Sequence, residues 1–149
     1  MEFICHTEKD TINLGQRLAV FAQKGDVFAL YGTLGMGKTV LARAFIQKLC
    51  DAPEVPSPTF TLLQMYNSSN FPIYHFDLYR LKSPEEIFEI GMEEAIYDGV
   101  SLIEWPEKME NYLPKKAFII NILPYEQGRK ITIDSNSDIQ KQRLQNFEK

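Results

Sequence analysis

The 149-residue chain has two cysteines, one tryptophan and no apolar run near the roughly 20 residues needed to span a bilayer. Each scarcity excludes something. Without a long apolar segment, a helical membrane span is ruled out and a soluble protein is expected. Cys5 and Cys50 could in principle pair, but neither has a motif around it and a cytosolic setting favours reduced thiols. Reduced, buried thiols acting as small apolar residues are the expectation. The formal net charge is −4, which leaves too little basic surface to grip nucleic acid by many phosphate contacts. If RNA is involved, a partner holds most of it. The start, Met1-Glu2-Phe3-Ile4-Cys5-His6, lacks the basic, apolar, small-residue order of an export signal, which points to the cytoplasm. There is no repeat and no low-complexity stretch. A chain of this length reads as a single domain, 1–149, able to bury about two-thirds of its unfolded surface.

What the sequence does have is Gly32-Thr33-Leu34-Gly35-Met36-Gly37-Lys38-Thr39, the pattern G-x-x-x-x-G-K-[ST], between an apolar run (Val27 to Tyr31) and a helix-forming one (Val40 to Leu49). Glycines let successive backbone N–H groups turn toward one anion, and the following helix adds the partial positive charge of its N-terminus. Lys38 is suited to neutralise outer phosphates, and the Thr39 hydroxyl suits one position around Mg²⁺. Strand, loop, Gly-Lys-Thr and helix occur in the order the chemistry needs, which sets this apart from a chance glycine-rich turn.

The remaining pattern supplies the frame. Phe3 to His6 reads as a short strand, and Thr7 with Asp10 as a capping box opening a helix through Phe21 that stops near Gly25. The prolines between Asp51 and Pro58 make that stretch irregular, leading to a hairpin of two strands, about Thr61 to Tyr66 and Ile73 to Phe76. Ser83-Pro84-Glu85-Glu86 starts a helix that Gly91 interrupts and Gly99 ends. Val100 to Ile103 is an apolar strand delivering Glu104; strands at about Phe118 to Ile122 and Lys130 to Ile133 follow, and a short polar helix closes the chain. The expected fold is therefore α/β: a P-loop NTPase-like three-layer arrangement with a mixed, mainly parallel central sheet and added antiparallel strands, its ligand at the carboxyl ends of the parallel strands.

A phosphate loop needs a carboxylate opposite it, to complete a metal shell or position an attacking water. Glu104 and Asp77 are the candidates, each at the end of a strand. His75 and Asp77 fall on one face at period two, fit either to bind metal or orient water, or to be a histidine bonded within the sheet beside an aspartate capping the turn. Trp105, followed by Pro106, is either core or a ring at the mouth of the site.

Taken in order, Leu34 to Thr39, Ser57-Pro58-Thr59-Phe60-Thr61-Leu62, His75-Phe76-Asp77-Leu78-Tyr79-Arg80-Leu81, Glu104-Trp105-Pro106-Glu107 and Gly128-Arg129 resemble the TsaE (YjeE) family, the small P-loop ATPase of bacterial tRNA threonylcarbamoyladenosine formation. The likeness runs nearly end to end. It departs at Thr33, Met36 and Val40, where the family favours Asp, Ala and Thr. The resemblance implies that Leu34, Gly35, Met36, Gly37, Lys38 and Thr39 wrap the phosphates of ATP. It implies that Thr39 and Glu104 hold Mg²⁺, that Asp77 sits near the γ-phosphate as a catalytic group with Lys38 and Glu104, and that Glu8, Gly128 and Arg129 touch the nucleotide from its far side. Ser57, Pro58, Thr59 and Phe60 are implied to form a switch; apart from the resemblance, an exposed Trp105 ring is expected to anchor a partner beside it. The resemblance further implies that the protein transfers no acyl group itself. It docks on the heterodimer of the transferase subunit and its structural partner, of the TsaD and TsaB type, and meets tRNA only indirectly, hydrolysing ATP to reset that complex as it modifies tRNAs that read codons starting with adenine.

Two other readings share the loop. A small nucleotide or metabolite kinase would need a lid with several arginines, and only Arg80 and Arg129 lie in suitable segments. A nucleotide-gated binding module would use ATP only to order residues 57–60.

Overall fold

The computed structural model describes residues 1–33, 37–51, 54–59 and 61–147. Leu34, Gly35, Met36 and Phe60, expected to wrap phosphates or to switch, lie outside the described residues. Seven strands form one sheet: β1 (Glu2–Cys5), β2 (Val27–Tyr31), β3 (Leu63–Asn67), β4 (Pro72–Asp77), β5 (Val100–Glu104), β6 (Phe118–Tyr125) and β7 (Gly128–Ser135), in the order β1-β7-β6-β2-β5-β4-β3. The centre, β6-β2-β5-β4, is parallel, and antiparallel pairs extend it at both edges. This is the mixed sheet expected from the sequence.

The apolar runs explain the layers. Along β2, Phe28 and Leu30 enter one core with Leu14, Leu18, Phe45 and Ile46 of the helices α1 (Glu8–Phe21) and α2 (Lys38–Leu49), while Val27 enters the other with Phe76, Ile103 and Met109. A strand covered on both faces has to be apolar throughout, and burying a side chain such as Phe28 stabilises the fold by about 2 kcal/mol. The second core lies under α3 (Met92–Asp98) and two 3₁₀ segments, Pro84–Phe88 and Pro106–Tyr112. The last helix, α4 (Asp138–Phe147), is tied to the start of β2 by Arg143, which bonds both oxygens of Asp26 at 2.7 and 2.9 Å. Among the described residues, no helix is long and apolar enough to cross a membrane.

Thr7 caps α1 reciprocally with Asp10, as its spacing predicts. Gly15 on that helix lets α2 approach closely: a Cβ there would stand 2.8 Å from the Leu41 carbonyl oxygen. Elsewhere the boundaries shift for local reasons. The hairpin's first strand starts at Leu63 rather than Thr61, because Leu62 is left-handed (φ 67°) and its N–H bonds back to the Pro58 carbonyl at 2.7 Å. Ser83 forms its capping box, but the turn it opens is 3₁₀ and the α-helix restarts after Gly91 at φ 75°. β6 and β7 run longer than their apolar centres because their ladder continues to Tyr125↔Gly128, closed by a tight turn with Glu126 at φ 53°.

Candidate phosphate site at the carboxyl ends of the central strands

The register sets the site. Leu30 pairs with Glu104, and Glu104 with Asp77, so two carboxylates stand side by side at the carboxyl ends of β5 and β4. Beyond β2, the chain enters α2 through Gly37, which adopts φ 97°, a left-handed conformation natural only to glycine. Among the described residues, no side chain caps α2 and no acidic residue sits in its first turn, which leaves its leading N–H groups open to an anion.

Lys38 leads that helix, yet its side chain is buried at 5% exposure. Its Nζ lies 3.7 Å from the centre of the Trp105 ring and has no hydrogen-bond partner among the described residues. Burial pulls the ammonium below its ordinary pKa, while Glu104, Glu107 and Asp77 oppose that by their charge. Trp105 is itself half-buried, its ring packed on Tyr79 with centroids 5.0 Å apart. Of the two sequence readings, core residue or ring at the mouth of the site, the structure shows the ring lining the cavity. Trp105 adopts φ 58°, so the chain turns sharply after β5, and the ring covers Lys38 instead of standing free in solvent.

The Thr39 hydroxyl donates to Glu104 Oε1 at 3.3 Å, and Glu104 Oε2 lies 2.6 Å from His75 Nε2. Asp77 is held separately: Thr59 Oγ1 donates to its Oδ2 at 2.8 Å and the Tyr79 N–H to its Oδ1 at 3.0 Å. Because a carboxylate can only accept, Ser57 completes the chain by donating to Thr59 at 2.8 Å. His75 and Asp77 do share a face, but they do not act as a pair. His75 belongs to Glu104, while Asp77 caps the turn into Tyr79 and also ties down the 57–59 segment.

A cavity of about 300 Å³ opens among these groups, its lining including Lys38, Thr39, Asp77, Glu104 and Trp105 together with Glu8, Gly37, Ser57, Thr59 and Arg129. Pro58 is buried beside it. A second cavity of about 140 Å³ adjoins it, sharing Glu8, Gly37 and Arg129 and reaching Thr11 and Gly128. Gly128 is required there by close approach, since a Cβ would fall 2.1 Å from the Cys5 carbonyl oxygen. Of the described site residues that the sequence nominated, all but Pro58 and His75 line one of these two cavities. One contributor went unassigned, Tyr79, whose N–H bonds Asp77 and whose ring packs on Trp105; His75 takes the second of its two sequence readings, a histidine bonded within the sheet. Among the described residues, no group of three or more His, Cys, Asp or Glu side chains could hold a metal alone.

The fold, together with a glycine-lysine-threonine helix start facing strand-end carboxylates, defines an α/β protein of the P-loop class. Residues 5–131 match the family model described as threonylcarbamoyl adenosine biosynthesis protein TsaE, and the chain belongs to that family. It is 42% identical over 136 residues to the tRNA threonylcarbamoyladenosine biosynthesis protein TsaE of Rickettsia felis, covering 90% of this chain and 80% of that one. The Haemophilus influenzae protein of the same name is 37% identical, with 87% and 83% covered. The crystal structure of Bacillus subtilis YdiB superposes with a TM-score of 0.83 at 27% identity, covering 99% of this chain and 93% of that one.

Proposed function

We propose that this protein is a Mg²⁺-dependent ATPase of the cytoplasm that supports tRNA threonylcarbamoyladenosine biosynthesis, acting on a transferase heterodimer of the TsaD and TsaB type and reaching tRNA only through it. The observation that carries the reading is the convergence of Lys38, Thr39, Glu104 and Asp77 on one cavity at the carboxyl ends of β2, β5 and β4. An unpartnered ammonium and an uncapped helix start suit phosphates, while two restrained carboxylates suit the chemistry beside them. Thr39 and Glu104 would hold Mg²⁺ jointly with the phosphates, since the local donors are too few to bind it alone. Bound there, the ion would neutralise charge on the phosphate oxygens. Lys38 would meet the outer phosphates, Asp77 would orient the attacking water, and Leu34, Gly35, Met36 and Gly37 would wrap the phosphates. Glu8, Gly128 and Arg129 line the adjoining cavity, which suits the rest of the nucleotide.

Ser57 to Phe60 would act as the switch. Asp77 is hydrogen-bonded to Thr59, so whatever Asp77 does to a ligand is transmitted to that segment. Calorimetric titration with Mg-ATP, Mg-ADP and a non-hydrolysable analogue tests the site. The reading expects binding of all three, lost in Lys38→Met; a variant that bound like wild type would overturn it.

A further inference from the structure

His75 is fully buried on β4 and lines neither cavity, so it cannot touch a ligand. Its Nε2 is 2.6 Å from Glu104 Oε2, and because a carboxylate only accepts, Nε2 carries the proton of that bond. Nδ1 has no partner among the described residues. The ring is thus committed to one contact.

That contact matters because of Lys38. Three carboxylates act on its charge, yet none bonds its Nζ. In a poorly solvated site an ammonium and a carboxylate attract strongly, so the carboxylates stay off Lys38 only if something else holds them. Asp77 is held by Thr59 and by the Tyr79 N–H. Glu104 has the Thr39 hydroxyl at 3.3 Å and His75 at 2.6 Å, and the shorter bond is the stronger restraint.

We infer that His75 is a positioning residue of the phosphate site: its imidazole holds Glu104 Oε2, which turns Oε1 toward Thr39 and keeps Lys38 unpaired for the incoming phosphate. The inference rests on the nucleotide reading of the cavity. Without the imidazole, Glu104 is free to swing to Lys38, and an arriving phosphate has to displace it.

The experiment measures ADP affinity, with Mg²⁺ and with EDTA, in wild type, His75→Leu, His75→Gln, Glu104→Gln and the double variant His75→Leu/Glu104→Gln, each with its thermal midpoint. His75→Leu should weaken ADP about tenfold or more and shrink the gain from Mg²⁺, whereas His75→Gln, whose amide nitrogen reaches the place of Nε2, should return to within about threefold. In the Glu104→Gln background, His75→Leu should change little, because the group it acts through is gone. Equal losses in both backgrounds, or wild-type ADP binding by folded His75→Leu, would overturn the inference.

Should His75→Leu fail to fold, the nucleotide-free wild type decides by NMR. The chain has only two histidines, and His6 is exposed. The His75 ring should show the Nε2–H tautomer, with a proton shifted downfield that moves in Glu104→Gln. An Nδ1–H ring, or a signal indifferent to Glu104→Gln, overturns the role. A wild type that binds no nucleotide would instead overturn the site reading and this inference with it, whereas an unaffected His75→Leu in a binding wild type overturns only the inference.

Discussion

Lys38 Nζ stands 3.7 Å from the centre of the Trp105 ring, buried and without a hydrogen bond to any described residue. A cation in that place gains some quadrupole attraction but forgoes the hydrogen bonds water would give it, so it is held ready at a cost in stability. Lys38→Met keeps the hydrocarbon stem on the ring and removes the charge. It should abolish nucleotide binding and leave the thermal midpoint unchanged or raised, the fold gaining at most on the order of 1 kcal/mol in stability. A clear fall in midpoint would show that the ammonium has a stabilising partner.

Trp105 is the chain's single tryptophan, which makes it a direct reporter. Phosphate arriving at Lys38 should draw the ammonium off the ring and change the intrinsic fluorescence in wild type, with no change in Lys38→Met. Trp105→Ala removes a contact made only before phosphate arrives, so nucleotide should bind no more weakly and up to about 0.5–2 kcal/mol more tightly, the span of cation–π contacts, with Trp105→Phe changing less. Normal nucleotide affinity in Trp105→Ala, with partner docking impaired, would return this ring to the role of interface anchor.

Glu104→Gln and Asp77→Asn should separate binding from chemistry. Both are nearly isosteric, and both remove charge needed chiefly as the reaction proceeds, so turnover should fall about 100-fold or more while nucleotide affinity changes far less. Steady-state phosphate release set beside calorimetric affinity measures the split. Normal turnover in Asp77→Asn would leave Asp77 only its visible bonds to Tyr79 and Thr59.

Alkaline pH should destabilise the fold through the cysteines. Burial raises the thiol pKa of Cys5 and Cys50 above the ordinary 9.0, so above that value the unfolded chain releases protons that the folded chain retains. Their contribution is whole below 9.0 and lost as pH climbs toward the folded values. Tyr31, Tyr66 and Tyr74, also raised by burial, act in the same sense from about 10 upward. Chemical denaturation from pH 8 to 10.5 should show stability falling, less steeply in Cys5→Ala/Cys50→Ala. A flat profile in wild type would contradict the burial argument.

How far the sequence carried the account depends on which force dominates at each residue. Val27 to Tyr31 and Val100 to Glu104 were readable because a strand buried on both faces has no freedom in its pattern, and the Thr7 and Ser83 caps because each is a local hydrogen-bond exchange. Leu62 and Trp105 were not, since both take positive φ without being glycine, and only surrounding structure imposes that. The site followed the same division. Lys38, Thr39, Glu104 and Asp77 sit at element ends that sequence patterns mark, whereas His75's bond to Glu104 depends on parallel register between β4 and β5, which period-two spacing cannot supply.

The most direct test of the central claim is inorganic phosphate release from Mg-ATP under single-turnover conditions, by this protein alone and with a purified TsaD–TsaB type heterodimer, in wild type and Asp77→Asn. The account predicts release that the heterodimer accelerates and Asp77→Asn suppresses, with no phosphoryl acceptor consumed. ATP that is bound yet never hydrolysed with the heterodimer present would contradict it, as would phosphate passed to a small-molecule acceptor, the mark of a kinase.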